Sequence, residues 1–272
     1  MNIKDFFEQE KNNLKNLAKE YNVQDIIKLG IIDATAEDDA ANAIYIKKKI
    51  EDFSEMGWKT QIYKTKNTTD AILKAQFDKC TAIIVQEPIA ADAEAYSETD
   101  IPLISDVDGF NPLSSFDPAT PKGIILYLDK LNFNYEGKNA VVLGRSDIVG
   151  KPMAKMLLDK NMNVVVLHSK TSKKDRAYYL ANADLVIAAI GKSGFLTREE
   201  CPHAVVIDVG ISRGADRKIH GDFIENEKYV NENVWSTPVP GGVGLLTRLA
   251  LMTNAVESAR LWKELKVYEG HI

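Results

Sequence analysis

The stretch from Ala140 to Pro152 holds residues whose types and spacing suit a particular chemistry. Ala140-Val141-Val142-Leu143 is apolar, Gly144-Arg145-Ser146 follows, and Val149-Gly150-Lys151-Pro152 opens a helical pattern. A nucleotide-binding βαβ unit places its first turn between a strand and a helix in this order. The helix N-terminus there turns N–H groups and a positive dipole end toward a phosphate. Pro152 suits the first helical turn, where a missing N–H costs nothing. The pattern G-x-G-x-x-G is absent; only Gly144 and Gly150 remain. A plain α/β connection with two turn glycines also fits this loop taken alone.

The end of the next apolar run narrows the choice of ligand. An NAD-binding unit usually carries an acid there, which holds the ribose 2′-hydroxyl. Here the chain reads Leu167-His168-Ser169-Lys170-Thr171, without an acid. A carboxylate repels a 2′-phosphate, whereas hydroxyl and cationic groups attract it. Ser169, Lys170 and Arg145 therefore point to NADP. Earlier in the chain, Tyr45 and Lys49 are four residues apart and share a face of any helix that contains them. Lys47, Lys48 and Lys49 form a charge run, which by itself reads as a solvated face. A free lysine, with a pKa of about 10.4, is a poor base near neutrality unless desolvation lowers it. Asp106 and Asp108 precede Gly109 and suit loop capping.

These residues need elements to position them. The spacing predicts a helix to about Tyr21, a strand over Ile26–Ile32 and a helix from Asp38 to Met56, with Ile46, Ile50, Phe53 and Gly57 at helical intervals. Thr60–Tyr63 reads as a strand, Thr69–Phe77 as a helix and Ala82–Gln86 as a buried strand. Asp106 to Pro121 reads as irregular, with a helix from Lys122 to Leu131 beyond it. Strands then follow at Asn139–Leu143, Asn163–His168, Asp184–Ala189 and Ala204–Asp208, with a helix at Gly150–Lys160 and a last one over Leu245–Leu265. Alternating strands and helices predict α/β layers with parallel sheets. The expected division is a first domain of residues 1–121 and 245–272, and a dinucleotide-binding domain of residues 122–244.

Composition bounds the remaining possibilities. The 272 residues carry a net charge of −5, with 45% apolar and 27% charged residues, which is ordinary for a globular enzyme. Nothing favours nucleic acid, which calls for a basic surface. No apolar run has the length of a membrane span, and no signal peptide is evident. Cys80 and Cys201 are far apart, and His168, His203, His220 and His271 have no ligand spacing, so no metal is expected. A cytoplasmic enzyme is the simplest reading.

At the residues quoted above the chain resembles the bifunctional methylenetetrahydrofolate dehydrogenase/methenyltetrahydrofolate cyclohydrolase family. Gly144-Arg145-Ser146 with Val149-Gly150-Lys151-Pro152 is similar to one fingerprint of that family. Thr237-Pro238-Val239-Pro240-Gly241-Gly242-Val243-Gly244 is similar to its folate-side loop. Val85-Gln86-Glu87-Pro88 and Asp106-Val107-Asp108-Gly109-Phe110 agree with two further motifs. The resemblance is close from Asn139 to Ala259 and loose before Tyr45.

The resemblance implies an N-terminal α/β catalytic domain, a Rossmann-like domain, a C-terminal helix returning to the first domain, and a homodimer. It implies oxidation of 5,10-methylenetetrahydrofolate with NADP, then hydrolysis to 10-formyltetrahydrofolate. Lys49 becomes the catalytic lysine, with Tyr45 beside it and Gln86 orienting it. Tyr45, Asp108, Pro240, Gly241, Gly242 and Val243 become folate contacts. Gly144, Arg145, Ser146, Val149, Gly150, His168, Ser169, Lys170, Ile190, Gly191, Gly210 and Ile211 become cofactor contacts. Several positions depart from the pattern: Asn42 for a serine, Glu87 for an apolar residue, Ser105 for a lysine, Ala119 for a cysteine, Leu245 for a proline, and a shortened loop from Asn111 to Pro118. They leave open a dehydrogenase with a weak cyclohydrolase. Two other readings are a different NADP-dependent dehydrogenase on a two-domain frame and a dinucleotide sensor without catalysis.

Overall fold

A computed structural model describes residues 1–36, 39–213 and 218–269. His271 and the expected helix start at Asp38 lie outside the described residues. The chain divides into two compact units, Glu8–Ala119 with Arg248–Ile272, and Met1–Phe7 with Thr120–Thr247. The N-terminal helix α1 (Ile3–Glu20) contributes to both.

The first unit is built on three parallel strands, β1 (Lys28–Asp33), β2 (Lys59–Lys64) and β3 (Ala82–Val85), in the order β2-β1-β3. Helices α2 (Ala40–Glu55) and α3 (Thr68–Phe77) make the crossovers. Every residue of β3 is buried, the mark of a parallel strand covered on both faces. Beyond β3 the sheet continues through a bridge, in which Ile83 N donates to Ser105 O at 2.7 Å. That bridge fixes the start of the Asp106–Phe110 segment.

The last helix, α7 (Val243–Glu269), returns to this unit from Arg248 onward. Leu249, Leu251, Met252, Ala255, Val256 and Ala259 are all buried, so the helix is apolar on more than one face. Its polar residues tie down the loop at the end of the sheet. Asn254 Nδ2 donates to Val107 O at 2.8 Å, Ser258 Oγ to Ile104 O at 2.6 Å, and Trp262 Nε1 to Ser105 Oγ at 2.9 Å.

In the second unit, α4 (Ala119–Lys130) begins three residues before the expected Lys122. Pro121 falls in its first turn, where no N–H is needed, so the proline starts the helix and does not end the loop. Then come β4 (Asn139–Leu143), α5 (Gly150–Asp159), β5 (Asn163–Leu167), α6 (Lys173–Ala181), β6 (Leu185–Ala188), the short β7 (Leu196–Thr197) and β8 (Val205–Asp208). Four of the strands form a parallel sheet in the order β5-β4-β6-β8. The carboxyl ends of β4, β5, β6 and β8 therefore lie side by side on one edge. Sequence spacing did not predict α6. Only Leu180 of that helix is buried, so it carries no apolar period, and its signal is the cap in which Ser172 accepts from Asp175 N.

Candidate active site

Lys49 lies on α2 and is only 8% exposed, despite the charge run around it. Its neighbours in that run, Lys47 and Lys48, are exposed and pair with Glu51. The run thus splits between a solvated face and one buried amine. Lys49 Nζ donates to Gln86 Oε1 at 3.0 Å. Gln86, next after β3, donates through Nε2 to Asn42 Oδ1 and to Glu87 O, both at 3.0 Å. Two acceptors on the amide nitrogen leave the amide oxygen facing the lysine. Asn42 is in turn held by Asp39, which accepts from its backbone N and its Nδ2 at the start of α2. Burial lowers the pKa of Lys49, and the negative charge of Asp108 opposes that shift. Tyr45 is half-buried one turn away, its phenol pushed up by burial against the pull of Arg248.

The two acids of the Asp106–Gly109 segment have separate surroundings. Asp106 is fully buried and accepts from Gly109 N at 3.1 Å and Asn111 N at 2.8 Å, which shapes the loop. Asp108 is half-buried as a residue, with its carboxyl turned inward. Burial raises its pKa, Lys49 lowers it and Glu87 raises it. Glu87 is itself held by Tyr96 Oη at 3.2 Å and Ile89 N at 3.1 Å.

Several departures from the family pattern have local partners. Asn42 completes the amide relay. Ser105 is fully buried and accepts from Trp262. Leu245 donates its N–H to Gly242 O at 3.0 Å, a bond that a proline at that position lacks. Pro240, Gly241 and Gly242 form the turn that enters α7 at Val243, and they belong to the second unit. Asp39, Tyr96 and the supporting role of Asn42 were not identified from sequence. An acid three residues before Asn42 is a cap signal. Tyr96 carries no local signal, since only the folded loop brings it to Glu87.

In the second unit the expected cofactor residues gather on the carboxyl edge of the sheet. Gly144 has φ +110, and a Cβ there would lie 2.4 Å from Ala189 O, so the turn after β4 requires glycine. Gly144 N donates to Leu167 O at 2.9 Å, which sets this turn beside the end of β5. Arg145, Ser146, Ser169 and Lys170 are exposed, while Val149 and Gly150 are buried. His168 Nδ1 accepts from Lys170 N at 3.2 Å and shapes that turn. Ile190 and Gly191 follow β6, and Gly210 and Ile211 follow β8. The N–H groups of Val149 and Gly150 are engaged by Ser146 Oγ, each at 3.2 Å, and Lys151 N donates to Ser146 O. The serine thereby holds the turn into α5 together. Among the described residues no group of histidine, cysteine and acidic side chains is placed to hold a metal.

A parallel sheet with glycine turns and cationic side chains on its carboxyl edge defines the class: an α/β protein with a Rossmann-like unit. The chain belongs to the tetrahydrofolate dehydrogenase/cyclohydrolase family, whose NAD(P)-binding domain matches residues 118–263. It is 39% identical over 240 residues to the bifunctional protein FolD of Variovorax paradoxus, with 81% of this chain and 83% of that one covered. The bifunctional protein FolD of Moorella thermoacetica is 38% identical over 241 residues, covering 82% and 85%. The crystal structure of the bifunctional enzyme FolD, a methylenetetrahydrofolate dehydrogenase/cyclohydrolase, from Campylobacter jejuni superposes with a TM-score of 0.84. It is 32% identical and covers 95% of this chain and 97% of its own. Among the described residues no helix is long and apolar enough to cross a membrane.

Proposed function

We propose that the protein oxidises 5,10-methylenetetrahydrofolate with NADP and hydrolyses the methenyl product to 10-formyltetrahydrofolate. The observation that carries this reading is the buried Lys49 amine on the Gln86 amide, with its pKa lowered by burial. Near neutrality a desolvated amine gives up a proton far more readily than a surface lysine. Lys49 takes the proton from water as it adds to the methenyl carbon, and it returns a proton to the departing ring nitrogen. Gln86 fixes the direction in which the amine points. The Asp108 carboxylate accepts hydrogen bonds from the amino and ring N–H groups of the pterin, and Tyr45 adds a folate contact in the same unit. With the amide relay closed by Asn42, the full cyclohydrolase is favoured over a weakened one.

The donor set on the carboxyl edge fits NADP. Arg145, Ser169 and Lys170 offer cation and hydroxyl groups to a 2′-phosphate, and the end of β5 carries no acid. NADP, when bound, supplies the hydride acceptor for the methylene carbon. On this reading residues 1–121 and 245–272 carry folate and residues 122–244 carry the cofactor. The protein is a cytoplasmic homodimer on this reading, and light scattering of the purified chain tests the dimer. The reaction itself is tested by mixing the protein with methylenetetrahydrofolate and NADP. Reduced cofactor with 10-formyltetrahydrofolate as the end product is expected. Absence of reduced cofactor overturns the reading.

A further inference from the structure

We infer that Asp222, braced by Asp208, is a positioning residue for the cofactor: it sets the loops that carry Ile190, Gly191, Gly210 and Ile211. The inference rests on the reading of those four residues as cofactor contacts. Asp222 is fully buried, and its carboxylate gathers three successive backbone N–H groups. Ile190 N lies at 2.6 Å, Gly191 N at 2.9 Å and Lys192 N at 2.7 Å. Three converging N–H groups closed on one carboxylate form a rigid nest, and hydrogen bonds to an ionised acceptor are the stronger kind. The turn after β6 is thereby held from inside the unit.

Asp208, the last residue of β8, holds the same segment from the other side. It accepts from Gly210 N, Asp222 N and Phe223 N, each at 3.0 Å. One acid thus fixes the loop after β8 together with the peptide that carries the second acid, and the second acid fixes the loop after β6. Two glycines make room for this packing. A Cβ on Gly210 would lie 2.1 Å from Asp222 Oδ1, and one on Gly221 would lie 1.9 Å from Asp208 Oδ2. The braced loops present two large apolar side chains to solvent, Ile190 at 37% and Ile211 at 47% exposure. Exposed isoleucines on stiffened loops at the carboxyl edge of a parallel sheet suit a flat ring as ligand. Loops already ordered before binding spend none of the binding free energy on ordering.

The test is Asp222→Asn, which keeps the shape but turns one acceptor oxygen into a donor facing the loop N–H groups. NADP affinity is measured by titration, alongside the split between KM for NADP and kcat. Turnover of methenyltetrahydrofolate, which needs no cofactor, reports on the remainder of the protein. The NADP dissociation constant is expected to rise about ten- to a hundredfold, the usual cost of a charged hydrogen-bond partner. kcat at saturating NADP should stay within about threefold of the parent. NADP affinity within about threefold of the parent overturns the inference, as does an equal fall in cyclohydrolase turnover, which marks a merely structural acid. If that variant does not fold, Gly221→Ala crowds Asp208 and should give the same split; an unchanged NADP affinity there also overturns the inference. A parent protein that does not bind NADP overturns the cofactor reading itself, which is a distinct outcome.

Discussion

Lys49 is where the two reactions separate. Hydride departure from the methylene carbon needs no base, whereas water addition and ring opening both move protons. Lys49→Met keeps the stem of the side chain and removes the amine. The cyclohydrolase should fall by about a hundred- to ten-thousandfold, the usual worth of general acid–base help. A measurable dehydrogenase should remain, so methenyltetrahydrofolate accumulates; parallel assays of the two steps check this. Survival of the cyclohydrolase within about threefold shows that the amine is not the catalytic group. In the parent, that activity should rise with pH through an apparent pKa below the ordinary lysine value, because the neutral amine is the base and burial favours it. Asp108 works on the other side of the balance, since its charge favours the ammonium form. Asp108→Ala should weaken folate binding about ten- to a hundredfold and leave NADP affinity unchanged, as equilibrium titration of each ligand measures. Equal loss of both ligands points instead to a folding defect.

The helix that carries Tyr45 and Lys49 is fixed by charge as well as by packing. Arg248, on α7, lies 2.9 Å from Asp52 on α2, and both side chains are largely buried. Burial pushes the Asp52 carboxyl up to about 6, against the pull of Arg248 and Lys11. Removing one partner of a buried pair strands the other charge, so Arg248→Met should destabilise the protein by about 3–5 kcal/mol in urea unfolding near neutral pH. The sign with pH follows from the raised pKa. Without Arg248 the folded-state Asp52 pKa rises further above about 6, so the deficit shrinks as pH falls toward about 6 and the stranded charge is neutralised. A deficit independent of pH assigns the loss to packing of the arginine stem. A second prediction belongs to the end of β5. With Ser169 and Lys170 exposed there and no acid, the specificity constant should favour NADP over NAD. A preference for NAD means that Arg145 and Lys170 do not meet a 2′-phosphate.

Across the whole molecule, the sequence was most informative where one kind of force decides the outcome. Strands β3, β4, β6 and β8 are buried apolar runs, and hydrophobic patterning alone located them. The glycine turn after β4 was legible for the same reason, since its backbone admits few residue types. The exposed helix α6 was invisible, because so little of it faces the core. The site was legible only in part. The types and spacing of Tyr45 and Lys49 suggested a shared face, but no local pattern separates a buried lysine from the solvated ones beside it. The buried amine meets the Gln86 amide and the charge of Asp108, which lie far along the chain. The same limit hid Asp222, whose partners at Ile190, Gly191 and Lys192 are some thirty residues away. The most direct test of the function uses methylenetetrahydrofolate carrying two deuterium atoms on the methylene carbon, with NADP and the purified protein. The reading predicts one deuterium on the nicotinamide ring of the reduced cofactor and the other retained in 10-formyltetrahydrofolate, in equal amounts. Deuterium released to water, or formyl product without labelled cofactor, would contradict it.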